Sequence, residues 1–461
     1  MGREHLSSRF GFILLSAGCA VGLGNVWRFP YIAGKNGGGL FVLLYLVFLA
    51  ILGLPVLIME FAAGRAAGRP ILSLHSSLTP GKPAWRLHGF AGLAGNVVLM
   101  MFYTVVAGWM LIYFVRTASG FFSPLDPPGV AAAFAGMLAS PAEQIAAMVL
   151  VCAVSAAVCA MGLRRGVERV VKRLMVCLLL LIAVLAANSI WLDARDGDAA
   201  GLRFYLVPSL ERMREAGFAT VVAEAMNHSF FTLSLGIGAM AIFGSYIGRS
   251  RTLLGEAMNV AALDTLVSIA AGIVVIPACF AYGANPGQGP GLVFSTLPNV
   301  FNDMPYGRFW GALFFAFMSC AAMTSVIAVF ETILACAMDA FSWSRPKAGA
   351  AVGAALAVLS LPCILGFSAW GGFRPFGEGS CVLDLEDFVV SNLLLPAGSL
   401  CFILYATRRF GWGWSNFLAE ANSGAGPKMP GALRWYCAVV LPLIVIAVFV
   451  LGLADRFGGG G

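Results

Sequence analysis

The sequence predicts an all-α membrane protein of about eleven transmembrane helices, and three observations carry that expectation. Of its 461 residues 60% are hydrophobic and only 11% charged, with a mean hydropathy of +0.87, so a water-facing surface cannot be assembled from this chain. Apolar stretches of the ~20 residues that a spanning helix needs recur along nearly the whole length, with short polar joints between them. The basic residues gather in every second joint, as the positive-inside rule requires of a multi-pass chain.

Taken in order, the spans fall near residues 10–33, 38–64, 88–118, 143–162, 170–192, 219–247, 255–283, 308–340, 348–367, 386–407 and 433–454. The first run is interrupted by glycines and lacks a small-residue cleavage site, so it reads as a span and not as a signal peptide. Arg3 and Arg9 precede it. Arg65, Arg69, Lys82 and Arg86 follow the second span, Arg164, Arg165, Arg169, Lys172 and Arg173 the fourth, and Arg249 and Arg251 the sixth. Arg345 and Lys347, then Arg408, Arg409, Lys428 and Arg434, continue the series. These joints and the N-terminus are expected in the cytoplasm, and the odd count puts the C-terminus on the opposite side. The net charge of +7 is accounted for by this topological pattern, which removes the reason to invoke nucleic acid.

The joint at 194–218 is polar and that at 284–305 is rich in Gly, Pro and Asn, so both are expected to be external loops carrying short helices. The eleven cysteines sit mostly within apolar runs without CxxC or zinc spacing, as buried small apolar residues do. One membrane domain over residues 1–461 is expected, as two inverted five-helix repeats at about 9–193 and 219–407 with an extra helix at about 433–454.

The first and sixth spans are each broken in the middle, by Gly18-Cys19-Ala20-Val21-Gly22-Leu23-Gly24 and by Ser234-Leu235-Gly236-Ile237-Gly238. Glycine costs ~1 kcal/mol in a helix relative to alanine, and unwound backbone at membrane depth survives only where it lines a protein cavity. Each break lies in the first helix of a five-helix half, which points to a binding site at the midplane between the repeats. Close packing through small residues is the alternative for the glycines alone. Directly after the first break comes Asn25-Val26-Trp27-Arg28-Phe29-Pro30, then Asn36-Gly37-Gly38-Gly39, so an arginine lies inside a span, where charge faces water or a partner.

Gly22-Leu23-Gly24-Asn25-Val26-Trp27-Arg28-Phe29-Pro30-Tyr31 followed by Asn36-Gly37-Gly38-Gly39 resembles the signature of the neurotransmitter:sodium symporter family. The likeness continues through Phe230 to Gly236 and through Thr324-Ser325, covers about residues 3–410, and is to the bacterial hydrophobic amino-acid branch with the leucine-transporter fold. The resemblance implies a transporter in a bacterial inner membrane with two sodium sites and no organic cofactor. The first would take the Ala20 carbonyl, Asn25, Thr232 and Asp264 with the substrate carboxylate. The second would take the carbonyls of Gly18, Val21 and Ala321 and the hydroxyls of Thr324 and Ser325. Such oxygens suit a hard cation. Leu23, Gly24 and the other amides freed by the first break, with the Tyr103 hydroxyl, would hold a carboxylate. Monoamine carriers of the family place an aspartate where this chain has Gly22, so the substrate is expected to bring its own carboxylate.

By the same resemblance Leu99, Phe231, Ser234, Ile237, Val329 and Ser325 line the substrate's side chain. Such walls suit a hydrophobic amino acid; leucine and tryptophan both remain open. Arg28 with Asp387, capped by Tyr103 and Phe231, matches an outer gate. Arg3 with Asp339, near Ser245 and Tyr246, matches an inner one. Leu6 stands where the family usually has an inner-gate tryptophan, and Glu60 matches a glutamate that supports the broken sixth helix. Many bacterial relatives follow the glycine at position 166 with a proline ten residues on, where this chain has Val176. Tyr45, His228, Thr232 and Ser268 occupy the chloride cradle of chloride-dependent relatives, with histidine for glutamine. Asp264 in place of an asparagine brings a fixed negative charge there, so chloride independence is expected, while a protonated His228 would restore the need for an anion. An ion channel or a membrane enzyme using Glu60 or Glu331 explains the paired breaks less well, and four scattered histidines supply no catalytic cluster. A non-transporting amino-acid receptor on this fold stays open.

Overall fold

Every predicted span is helical in the computed structural model, which describes residues 6, 8–195, 198–287 and 291–457. The spans, numbered in chain order, are α1 (Arg9–Ala20 and Gly24–Lys35, bent by 58° at the break), α2 (Gly39–Ala67), α3 (Pro83–Ser119), α4 (Pro141–Ala160) and α5 (Leu163–Arg195). After them come α6, in two halves at Phe218–Phe231 and Ala239–Gly244, then α7 (Leu253–Ala281), α8 (Gly307–Phe341), α9 (Arg345–Leu365), α10 (Val382–Thr407) and α11 (Gly431–Leu453). Among the described residues nine helices are long and apolar enough to cross a bilayer unbroken and the bent α1 makes a tenth; α6, in two shorter halves, stands where the remaining span was expected. Both predicted loops carry short helices, at Ala200–Leu206 and Leu210–Ala216 and at Leu297–Asp303. Three further short helices, Ile71–Leu78, Pro127–Leu138 and Trp414–Ala421, had no signal strong enough to stand out from the joints around them.

The packing has the symmetry of two repeats. α1 packs on α7 as the two halves of α6 pack on α2, while α3 pairs with α8 and α4 with α9. Exchanging the two five-helix halves maps each of these pairings onto another or onto itself. The broken helices thus face each other at the centre.

Proline shapes several spans through one mechanism. It lacks an amide and its ring pushes away the carbonyl four residues earlier, which widens the preceding turn. Wide turns occur at Gly24–Arg28 before Pro30, Leu49–Gly53 before Pro55, Leu292–Thr296 before Pro298, Val389–Leu394 before Pro396 and Tyr436–Val440 before Pro442. Three displaced carbonyls find donors elsewhere: Ile51 from the Tyr436 hydroxyl (2.6 Å), Phe294 from the Tyr113 hydroxyl (2.9 Å) and Ala438 from Arg408 (2.6 Å). Those bonds satisfy groups that hydrocarbon would leave bare.

The start of α5 has one wide turn, Leu163–Glu168, with no proline behind it, and then an unbroken helix from Arg169 through Val176 to Arg195. With Val176 donating its amide, this helix is expected to stay continuous when the inner side opens. Hydrogen exchange across residues 168–176 in the inward-facing state should be slower than in a relative with proline at that place. Equal rates would contradict this.

Candidate functional site at the two helix breaks

The first half of α1 ends at Ala20, and the backbone leaves the helix until Gly24. Carbonyls released there turn to α8. The Ser325 hydroxyl lies 3.2 Å from the Gly18 carbonyl, 3.4 Å from that of Cys19 and 3.0 Å from that of Val21. Thr324 donates to the Ala321 carbonyl at 2.8 Å and lies 3.4 Å from that of Val21. All five groups named for a second sodium site therefore converge in one buried nest of oxygens, with the Cys19 carbonyl as a sixth that sequence reasoning missed. A main-chain oxygen leaves no side-chain signature to read.

On the other side of the break Asn25 is fully buried. Its amide nitrogen lies 2.7 Å from Asp264 Oδ1, 3.0 Å from the Thr232 hydroxyl and 2.7 Å from that of Ser268, and its Oδ1 accepts from the Gly22 amide at 3.0 Å. Asp264 also accepts from Thr232 at 2.8 Å and from Tyr45 at 3.4 Å. Asn25, Thr232 and Asp264 thus meet, with Ala20 lining the pocket beside them. His228 packs its ring against Phe29 and Tyr45. Neither of its ring nitrogens has a hydrogen-bond partner among the described residues, so the cradle closes on Asp264 without a hydrogen bond from the imidazole.

The second break runs from Thr232 to Gly238. Gly236 takes a φ of 98°, and a Cβ there would collide with the Leu395 carbonyl and sit 2.8 Å from the Ser399 nitrogen, so glycine is needed for both conformation and space. Ser234 adopts a left-handed φ of 51°, strain of the kind that collects at binding sites. Three side chains hold this unwound segment. Glu60 accepts from the Gly236 amide, Asn96 donates to the Ile237 carbonyl at 2.8 Å, and the His88 ring lies 3.3 Å from the Gly236 carbonyl. Glu60 stands where the sequence put it; Asn96 and His88 carry no motif.

Between the breaks lies a pocket lined by Gly22, Gly24, Leu99, Tyr103, Phe231, Ser234, Ser325 and Val329, joined by Cys19, Met100, Val390 and Leu395. Tyr103 accepts at its hydroxyl from the Leu23 amide at 2.7 Å. Ile237 is a correction. Its side chain is absent from this pocket, packs against Gly95, and borders a separate groove between α3 and α10. Val390 and Leu395 on α10 form the wall expected of it. The left-handed residues flanking Ile237 rotate it out of the helical register that its spacing from Phe231 and Ser234 implied.

Above the pocket the Arg28 guanidinium sits 4.5 Å over the Phe231 ring and 3.9 Å from Asp387. Ser391 bridges the pair, 3.5 Å from Arg28 and donating to Asp387 at 2.7 Å. Below it, Arg3 lies outside the described residues. Asp339 takes Arg69 at 3.3 Å and Ser73 at 3.0 Å, partners that the sequence reading did not assign to it. Tyr246 donates to Glu331 at 2.8 Å, and Arg345 grips Glu331 at 2.5 and 3.0 Å. The amide of Leu6 lies 3.5 Å from the Tyr246 carbonyl, while the Ser245 hydroxyl returns to its own helix at Ile242. Glu331 therefore serves an ion pair beneath the pocket. The cavity between the upper and lower ion pairs is about 20 Å³, and a wider one of about 260 Å³ lies above it against Tyr103, Phe231, Arg28 and Asp387.

Two broken spans around a small pocket, with one ion pair above it and another below, are the arrangement of a secondary transporter. The sodium:neurotransmitter symporter family matches residues 3–123 and 135–456, and the chain belongs to it. YhdH, an uncharacterized sodium-dependent transporter of Bacillus subtilis, is 32% identical over 446 residues and is covered, like this chain, to 96%. A sodium-dependent transporter of Haemophilus influenzae is 29% identical over 473 residues, with 98% of each chain covered. Among solved structures, that of MhsT in complex with L-phenylalanine superposes with a TM-score of 0.86 at 35% identity, covering 98% of this chain and 100% of that one. The protein is thus a multi-pass sodium-dependent transporter of a family of carriers.

Proposed function

We propose that this chain carries a hydrophobic L-amino acid inward together with sodium, by alternating access and without chloride. The observation that supports it most is the arrangement around the first break, where the Leu23 amide and Tyr103 hydroxyl, an apolar pocket and two separate groups of oxygens lie side by side. The amides at a half-helix end suit a carboxylate, and Gly22 leaves no fixed anion for an amine. Leu99, Met100, Val329, Val390 and Leu395 leave a charged side chain unpaired. MhsT, with L-phenylalanine bound, is consistent with a substrate of that class.

In this reading the first sodium sits among the Ala20 carbonyl, Asn25, Thr232 and Asp264. The second sits among Gly18, Val21, Ala321, Thr324 and Ser325. Arg28 with Asp387, and Tyr246 with Glu331 and Arg345, open in turn. Repeats at about 9–193 and 219–407 rock against each other, with 433–454 outside them. The basic joints favour a cytoplasmic N-terminus, and the bacterial relatives favour a bacterial inner membrane.

The test is uptake of labelled leucine, phenylalanine and tryptophan into proteoliposomes at varied sodium. Thr324→Ala combined with Ser325→Val removes both hydroxyls of the second site and should raise the sodium needed for half-maximal uptake about tenfold or more, two lost ligand bonds at ~1 kcal/mol each. Unchanged sodium affinity in that double variant would remove the second site from the account.

A further inference from the structure

A groove of about 580 Å³ runs between α3 and α10, outside the central pocket. Its floor is the unwound segment of α6 itself: Gly236 and Ile237 line it, beside His88, Ala397 and Cys401. His88 is buried and joins this floor to the interior, 3.3 Å from the Gly236 carbonyl and 3.2 Å from His75. The walls are apolar. Leu87 at the groove and Phe90 beside it are 75% and 61% exposed, and on a spanning helix such surface faces lipid tails, not water.

The open end of the groove is basic. Lys82 donates to the carbonyls of Arg409 at 2.9 Å and Gly411 at 2.6 Å, which draws the joint after α10 against the start of α3. Lys82, Trp85 and Phe410 line this end, and the exposed Arg86 and Arg409 are the next residues in the chain to Trp85 and Phe410. No acidic residue occurs between residues 68 and 86 or between 404 and 418. A basic rim at the interface over an apolar slot between spans matches a molecule with an anionic head and a hydrocarbon tail.

We propose that this groove binds one anionic phospholipid, its phosphate between Arg86 and Arg409 and one acyl chain lying against Gly236 and Ile237. The bound chain fills the space behind the broken sixth span and steadies the segment that Glu60 and Asn96 also hold, with His88 at the groove floor. Lipid charge thereby sets how readily that segment moves. The inference does not depend on which substrate is carried.

The full chain is purified from bilayers of equal parts phosphatidylcholine and phosphatidylglycerol, and retained lipid is counted by native mass spectrometry. One phosphatidylglycerol should remain, preferred over phosphatidylcholine by about tenfold. Ala397→Phe, which fills the slot, should remove it. Arg86→Gln with Arg409→Gln, both at exposed positions, should abolish the preference but keep the chain. Amide exchange at residues 236–238 should be slower in phosphatidylglycerol than in phosphatidylcholine for the wild type and equal for the double variant. Equal retention of the two lipids, retention undiminished by Ala397→Phe, displacement by millimolar inorganic phosphate, or exchange indifferent to headgroup would each overturn the proposal.

Discussion

Replacing Gly22 by alanine is expected to abolish uptake. A Cβ at that position would fall on the Tyr103 hydroxyl and 2.6 Å from the Ser325 hydroxyl. Tyr103 is tied to the Leu23 amide at 2.7 Å and Ser325 to the carbonyls of the first break, so neither yields without opening a group of oxygens assigned to an ion. Under the proposed function the added methyl stands where the substrate carboxylate meets its donors. Hydrogen bonds to a charged group contribute ~1.5–3 kcal/mol each, and losing two costs more than about 100-fold in affinity. Binding of labelled amino acid to purified protein measures it, with thermal stability as the check that the fold survives. Binding within about threefold of wild type, a difference of under 1 kcal/mol, would show that the carboxylate lies elsewhere.

The second large effect is expected at Asp264. Its carboxylate gathers Asn25, Thr232 and Tyr45, and Ser268 reaches the same knot through Asn25 at 2.7 Å. Tyr45, Thr232 and Ser268 are, with His228, the positions that hold chloride in chloride-dependent relatives according to the resemblance, and here the first three turn toward a fixed charge. A unit charge about 4 Å from a cation is worth about 4 kcal/mol at an effective dielectric near 20. Asp264→Asn should therefore stop uptake in gluconate, and chloride should restore part of it. Wild-type uptake should be the same in either anion. Collapse of wild-type uptake in gluconate would mean that Tyr45 and Ser268 still hold an anion and that Asp264 is only a sodium ligand.

The spans were legible because a bilayer demands long apolar runs, and the breaks because glycine at membrane depth has few other uses. Glu60, Asn25 and Thr324 were located by their match to the family pattern; residue type alone would have left Thr324 bonded back to its own helix. What stayed hidden is made by geometry. The Cys19 carbonyl, the turn of Ile237 out of the pocket and the entry of Val390 and Leu395 follow from left-handed residues and a proline-widened turn, which a helical wheel cannot register. Asp339 illustrates a second limit. The sequence offers several cytoplasmic cations for this carboxylate, Arg69 after the second span as well as Arg3 before the first, and only folding brings Arg69 within 3.3 Å of it. Glu331 was noticed as an intramembrane carboxylate, yet its partners Tyr246 and Arg345 come from another span and a loop edge.

The central claim, that sodium and a hydrophobic amino acid move together, is tested most directly by accumulation in proteoliposomes under an imposed sodium gradient. With sodium high outside and low inside, labelled phenylalanine or leucine should rise within the vesicles above its external concentration and fall back when a sodium ionophore collapses the gradient. Entry that never exceeds the external concentration, or binding without entry, would contradict the account and leave a channel or a receptor on this fold.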